Sequence, residues 1–224
     1  MVQKPQLRVK AIIFDLDGTL VDSRGAYREA AEFAFARLKL GMVKAKIVTE
    51  IPRRLEENLP IDELIEGADV DRFKEIYLGA YYRATAEKTR PFQNVAATLE
   101  RLSSDASLAV TTRRNVPEAE VRRELEKFGL AKFFRVVLTS RNTLKPKPSP
   151  EALIKCAERL SVRMSDCAVV GDSVIDVRAG KSAGARTVAV LTGIFTREEL
   201  EREKPDLVLR DVGELPDCVD VSIK

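Results

Sequence analysis

Two carboxylates, Asp15 and Asp17, stand at the end of the short apolar run Ile12-Ile13-Phe14, and Gly18 follows them directly. Such a run reads as a buried parallel strand. Open α/β sheets place ligands at the carboxyl ends of their strands, so both acids are expected at a ligand crevice. There one carboxylate can act as a nucleophile while the other moves protons, with a hard cation beside both. The structural alternative is a solvated Asp-x-Asp-Gly turn. Three later segments weigh against it. Leu108-Ala109-Val110 runs into Thr111-Thr112, Lys145 opens the run Lys145-Pro146-Lys147-Pro148-Ser149-Pro150, and Ala168-Val169-Val170 ends in Gly171-Asp172-Ser173-Val174-Ile175-Asp176. Acids at the Asp15-Asp17 motif and at the last of these segments would hold Mg²⁺, and a hydroxyl and an ammonium would hold phosphoryl oxygens. Each has an ordinary explanation by itself: Lys145 as a solvated lysine, Asp172 and Asp176 as a helix cap and a first-turn acid. Their joint order beside apolar runs is what argues for a site.

These groups meet only if the elements carrying them are parallel strands. Six apolar runs read as strands, over residues 9–14, 108–112, 135–139, 168–170, 187–191 and 207–209. Helical patterns lie between most of them. Residues 116–128 are followed by Gly129-Leu130, a plausible helix C-cap. Ser149-Pro150 opens a helix over 151–160, and Thr196-Arg197-Glu198-Glu199 has the form of a capping box. Alternating strands and helices predict an α/β fold: a Rossmann-like, doubly wound, mostly parallel sheet. The stretch from Arg24 to Pro91 holds no strand candidate and is too long for one crossover. Apolar spacing predicts helices over 27–38 and 71–87 there, the second with Phe73, Ile76, Tyr77, Ala80, Tyr81 and Ala84 on one face. The expected organisation is therefore a core of residues 1–22 and 91–224 interrupted by an all-helical insertion of residues 23–90.

Composition narrows the chemistry. The 224 residues carry 38 basic and 35 acidic side chains, a net charge of +3 too small to argue for nucleic acid or a membrane as partner. No apolar run approaches a bilayer span. The segment 1–10 is charged without an apolar centre, unlike a secretory signal. The 3 cysteines are odd in number, with no C-x-x-C spacing, which favours reduced thiols and a cytoplasmic setting. The chain has 0 histidines, which removes Ser-His-Asp and Cys-His catalysis and histidine-ligated metals. Gly180-Lys181-Ser182 resembles the end of a P-loop, but Ile175 occupies the upstream glycine position.

The segments Asp15-Leu16-Asp17-Gly18-Thr19-Leu20-Val21-Asp22-Ser23, Thr112, Lys145-Pro146-Lys147-Pro148 and Gly171-Asp172-Ser173-Val174-Ile175-Asp176 together resemble the motifs of haloacid-dehalogenase superfamily hydrolases, in the phosphoglycolate-phosphatase-like branch. The helical insertion resembles that branch's cap domain. The resemblance runs from Val9 to about Leu215. It implies a Mg²⁺-dependent phosphatase acting on a small phosphorylated metabolite. In that scheme Asp15 attacks phosphorus and forms an aspartyl-phosphate, and Asp17 protonates the leaving group and then activates water. Asp15, Asp172 and the backbone carbonyl of Asp17 would ligate Mg²⁺, with Asp176 in support. Thr112 and Lys145 would bind the phosphoryl group.

One departure stands out. The family's second motif usually has Asn after the Thr, where this chain has Arg113, followed by Arg114. Arg113 could bind an anionic part of the substrate or could simply be solvated. The register between Thr111 and Thr112 is open by one residue, and strand length favours Thr112. Within the insertion, Arg53 and Arg54 sit in the turn-like Ile51-Pro52-Arg53-Arg54 and could read a substrate anion. Two other functions remain alternatives: a phosphosugar mutase using the same acids, and a non-catalytic interaction protein on a phosphatase scaffold. Either a monomer or a homodimer fits the sequence.

Overall fold

A computed structural model describes residues 7–221. Its strands are β1 (Leu7–Arg8), β2 (Ala11–Asp15), β3 (Val21–Asp22), β4 (Arg90–Pro91), β5 (Ser107–Thr111), β6 (Phe134–Leu138), β7 (Cys167–Gly171), β8 (Arg186–Val190), β9 (Leu207–Leu209) and β10 (Val219–Asp220). The α-helices are α1 (Arg24–Leu38), α2 (Ala45–Glu57), α3 (Val70–Lys88), α4 (Val95–Ser103), α5 (Glu118–Lys127), α6 (Glu151–Leu160), α7 (Val174–Ala183) and α8 (Arg197–Arg202). The chain forms two compact units, one of Asp22–Arg90 and one of the residues before and after it.

The larger unit is built on a six-stranded sheet in the order β6-β5-β2-β7-β8-β9. Every pairing in it is parallel. The six apolar runs of the sequence supply its six strands, each one short and bounded as a doubly buried strand should be. On one face Ala11, Ile13, Ala109, Val136 and Val169 pack with Leu153, Cys156, Ala157 and Leu160 of α6. The alternate residues Ile12, Phe14, Leu108 and Val110 are equally buried, so both faces of the sheet are covered. Because the strands are parallel, all their carboxyl ends lie along one edge. Asp15 ends the central strand there, in register with Thr111 of β5. Outside this sheet β1 pairs with β10 and β3 with β4. Residues 1–6 of the charged amino-terminal segment lie outside the described residues.

The helix ends follow the local sequence. Gly129 has φ 71°, the left-handed conformation expected of a cap. Thr196 and Glu199 form the reciprocal capping box. Gly180-Lys181-Ser182 lies inside α7, and Gly180 is packed against Val169 and Thr187, which accounts for the glycine structurally.

The smaller unit is a helical bundle. Phe35 of α1 meets Phe73 of α3 edge-on at 5.9 Å, and Tyr27 stacks on Tyr81 at 5.3 Å. One expectation is corrected here: Ile51-Pro52-Arg53-Arg54 is not a turn but the interior of α2. Pro52 removes one helical N–H, and the burial of Val48, Ile51 and Pro52 on one face offsets that loss. Arg54 is occupied within the unit, donating to Glu50 at 2.9 Å and to the Pro60 carbonyl at 2.9 Å, and pairing with Glu63 at 2.6 Å. Arg53 pairs with Glu50 at 3.4 Å.

Candidate active site

The site grows from the end of β2. Asp15 is the last residue of that strand, and the chain then turns at Gly18, whose φ of 85° is open to glycine and costly for other residues. The Gly18 N–H donates to the Val21 carbonyl at 2.8 Å, closing a tight loop that returns Asp17 toward the sheet edge.

Lys147 supplies the ammonium at Asp15. Its Nζ donates to Asp15 Oδ1 at 2.5 Å, to Asp176 Oδ1 at 2.7 Å and to the Thr111 carbonyl at 3.4 Å. The Lys147 side chain is only 3% exposed. This corrects the expectation for Lys145, which is exposed. The physical reason lies in Glu151 at the start of α6. Its carboxylate accepts the backbone N–H groups of Leu144 and Lys145 at 3.0–3.1 Å and the Lys155 ammonium at 2.8 Å. Those bonds hold the Glu151 carboxyl down at about 2 and fix the 144–145 backbone at the surface. The chain then turns inward, with the Ser149 N–H on the Pro146 carbonyl at 3.0 Å, and Lys147 becomes the buried lysine. The repeat Lys-Pro-Lys-Pro offers two registers, and only burial separates them.

Asp172 and Asp176 come from the end of β7 and the first turn of α7. Asp172 Oδ1 accepts the Thr19 hydroxyl at 2.7 Å. Asp176 Oδ2 accepts the Ser173 hydroxyl at 2.7 Å and completes a capping box with it. The backbone comes very close to both acids. A Cβ on Gly193 would lie 1.8 Å from Asp172 Oδ2, one on Gly18 2.3 Å from the same oxygen, and one on Gly171 2.3 Å from Asp176 Cγ. Glycine is therefore required at these approaches.

Oxygens of Asp15, Asp172 and Asp176 all lie within 4.8 Å of one another. Three hard oxygen donors so close, with one ammonium among them, leave a net negative charge that a divalent cation fits. Burial pushes the Asp15 carboxyl up to about 7 against the opposing pull of Lys147, and the Asp176 and Asp17 carboxylates add to the rise. Burial by itself would lower the Lys147 ammonium. The carboxylates of Asp15 and Asp176 more than reverse that and keep it protonated.

Thr112 reaches the site from just beyond β5, its hydroxyl 3.4 Å from Asp17 Oδ2. Thr111 is buried with an unpartnered hydroxyl, and its contribution to the site is its carbonyl, on Lys147. Arg113 is half-buried. The arginine that grips Asp17 is Arg114, a residue the sequence did not single out. Its Nε donates to Asp17 Oδ2 at 2.8 Å and its second terminal nitrogen to Oδ1 at 2.6 Å. Its other edge pairs with Glu124 of α5. The adjacent Arg113-Arg114 pair was the available signal, but sequence alone does not say which of two neighbouring arginines turns inward.

Acids, an ammonium and hydroxyls are thus gathered at the carboxyl ends of the central strands of a parallel sheet, where open α/β sheets hold their ligands. Residues 12–190 match the family model for haloacid dehalogenase-like hydrolases, and the chain belongs to that family. It is 30% identical, over 95% of its length and 98% of the relative's, to a Clostridium perfringens protein provisionally assigned as pyrophosphatase PpaX. It is 29% identical to the phosphoglycolate phosphatase of Escherichia coli K12, covering 92% of this chain and 91% of that one. Among solved structures, a haloacid dehalogenase-like family hydrolase from Streptococcus pneumoniae superposes with a TM-score of 0.77 at 22% identity, over 92% of this chain and 96% of that one. That likeness establishes the fold.

Proposed function

We propose that the protein is a Mg²⁺-dependent phosphatase that hydrolyses a small phosphate monoester through an aspartyl-phosphate on Asp15. The observation that carries the proposal is the Asp15 carboxylate itself. It ends the central strand, one oxygen is held by Lys147 at 2.5 Å, and it belongs to a three-acid cluster. A carboxylate attacks an anionic phosphate poorly unless cations offset the repulsion. Lys147 is one such cation, held in place by Asp176. A Mg²⁺ held by Asp15, Asp172 and the Asp17 backbone carbonyl, with Asp176 in support, would be the other, neutralising charge on the phosphoryl group.

The chain's own residues then divide the work. Asp15 Oδ attacks phosphorus as the bond to the leaving oxygen breaks. Asp17 donates a proton to that oxygen and later takes one from the water that attacks the intermediate. Thr112 and Lys147 hold phosphoryl oxygens, Lys147 in the role expected of Lys145, and Arg113 beside Thr112 faces an anionic part of the substrate. The named relatives make phosphoglycolate and pyrophosphate the first candidates among substrates. A small soluble metabolite fits a chain in which no described helix is long and apolar enough to cross a membrane, and we place the enzyme in the cytoplasm as a monomer or homodimer.

The test is inorganic phosphate release from a panel of small phosphate esters and pyrophosphate, with Mg²⁺ and with EDTA, for wild type and Asp15→Asn. Release that needs Mg²⁺ and disappears in Asp15→Asn is the expected result. Release that persists in Asp15→Asn would refute the mechanism.

A further inference from the structure

Asp17 of the first motif belongs to a second buried charge cluster, whose other members, Arg114 and Glu124, the scheme above does not use. Arg114 is 4% exposed, Asp17 12% and Glu124 10%, so their charges are little screened by water. The guanidinium binds Asp17 as a two-pronged fork, one nitrogen to each carboxylate oxygen, at 2.8 and 2.6 Å. Such forks fix the plane of a carboxylate as well as its position. The fork is itself held on every side. Glu124 takes its other edge, with a second contact at 3.3 Å. The Arg114 N–H donates to the Thr112 hydroxyl at 3.2 Å, and the Arg114 carbonyl accepts the Ser140 N–H at 3.2 Å. Arg114 is thus anchored at its backbone to Thr112 and β6's exit loop, and at its head to α5.

We infer that Arg114, braced by Glu124, is the positioning residue that orients the Asp17 carboxylate as proton acceptor in the second half-reaction, the hydrolysis of the aspartyl-phosphate. The inference rests on the proposed phosphatase reading. In that step a water oxygen bonds to phosphorus and the P–Oδ bond to Asp15 breaks, its electron pair returning to the Asp15 carboxylate. The water's proton goes to Asp17. A carboxylate whose two oxygens are both aimed by a rigid fork is pre-oriented for that transfer. The first half-reaction depends on it less when the leaving group departs without help. In this scheme Arg114 acts through Asp17.

The experiment follows p-nitrophenyl phosphate with Mg²⁺ on the millisecond scale. It uses wild type, Arg114→Gln, Arg114→Lys and Glu124→Gln as full-length protein. Nitrophenolate is a good leaving group, so its release reports the first step with little demand on Asp17. The expected result for Arg114→Gln is a burst of about one nitrophenolate per enzyme, followed by turnover slowed by roughly 10²-fold, the scale of general-base catalysis. Arg114→Lys, which keeps the charge and loses the fork, and Glu124→Gln should fall between that variant and wild type. The burst itself counts folded, competent enzyme, so a misfolded variant cannot imitate the result. Burst and steady rates that fall together, or that both stay at the wild-type values, would overturn the inference and leave the phosphatase reading intact. Wild-type protein that releases no phosphate from any ester would overturn both.

Discussion

Both acids of the first motif are gripped by a buried cation that leans on a second carboxylate, yet the two assemblies are built differently. Asp15 meets Lys147, and Lys147 meets Asp176. Asp17 meets Arg114, and Arg114 meets Glu124. Lysine is a point charge, and of the two Asp15 oxygens Lys147 engages only Oδ1. Among the described residues the other Asp15 oxygen accepts no hydrogen bond, which leaves it open for the attack proposed above. Arginine is a planar fork and engages both oxygens of Asp17. A nucleophile needs an open oxygen and nearby positive charge, whereas a proton carrier needs a fixed direction. The two cations match the roles proposed for the two acids. The second acids differ too: Asp176 also belongs to the cluster suited to a metal, while Glu124 sits on α5 as a brace.

The comparison breaks most visibly at Lys147. Lys147→Ala should lower turnover by roughly 10²–10³-fold, the scale of losing one charge-stabilising donor. It should also destabilise the fold by about 3–5 kcal/mol, because two buried acids lose their shared partner. Lys145→Ala should stay within about 0.5 kcal/mol of wild type, as exposed substitutions do, with turnover unchanged. Phosphate release and denaturant unfolding on the two variants check both halves. Equal losses in the two would refute the assignment of Lys147.

The pair also marks the limit of what the sequence could say. The six strands were legible because each is a short apolar run of a doubly buried strand, and Asp15, Asp17, Asp172 and Asp176 were legible as acids directly beyond such runs. Strand length favoured Thr112, but β5 ends at Thr111 and Thr112 lies just beyond it. The choice between Lys145 and Lys147 was not legible, because a Lys-Pro repeat has two equivalent registers and the Glu151 clasp that separates them is a tertiary contact. Arg114 failed for the same reason, since its partner Glu124 is ten positions away on a helix. Helix α2 was obscured by Pro52, whose cost as a helix breaker is outweighed by the burial of its face.

The brace of the second assembly gives a smaller effect. Glu124→Gln keeps the shape of the side chain and removes its charge, and should cost about 1–3 kcal/mol by urea unfolding, the scale of a weakened buried polar contact. Asp17→Asn should be partly redundant with it, because both substitutions weaken the same arginine's surroundings. Strictly additive losses in the double variant would show that the three groups do not act as a unit.

A pH dependence at Asp15 gives a further effect. In the metal-free fold the Asp15 carboxyl titrates at about 7 against an ordinary value of 3.8. Between those values the folded chain binds more protons at Asp15 than the unfolded chain does, so its contribution to stability falls as pH rises through that window. Asp15→Asn removes this contribution. The melting temperature of the variant relative to wild type, both in EDTA, should therefore climb as pH is raised from about 4 to 7. A constant difference across that range would refute the upward shift.

The central claim is that Asp15 becomes phosphorylated, and it is tested most directly by locating the phosphoryl group. Arg114→Gln protein should be acid-quenched during turnover of a phosphate ester with Mg²⁺ and its peptides mapped by mass. The account predicts a phosphoryl group on the peptide holding Asp15, at Asp15 itself, and none in a quench made with EDTA. Phosphate turnover with no modified peptide, or with the phosphoryl group on another residue, would contradict it.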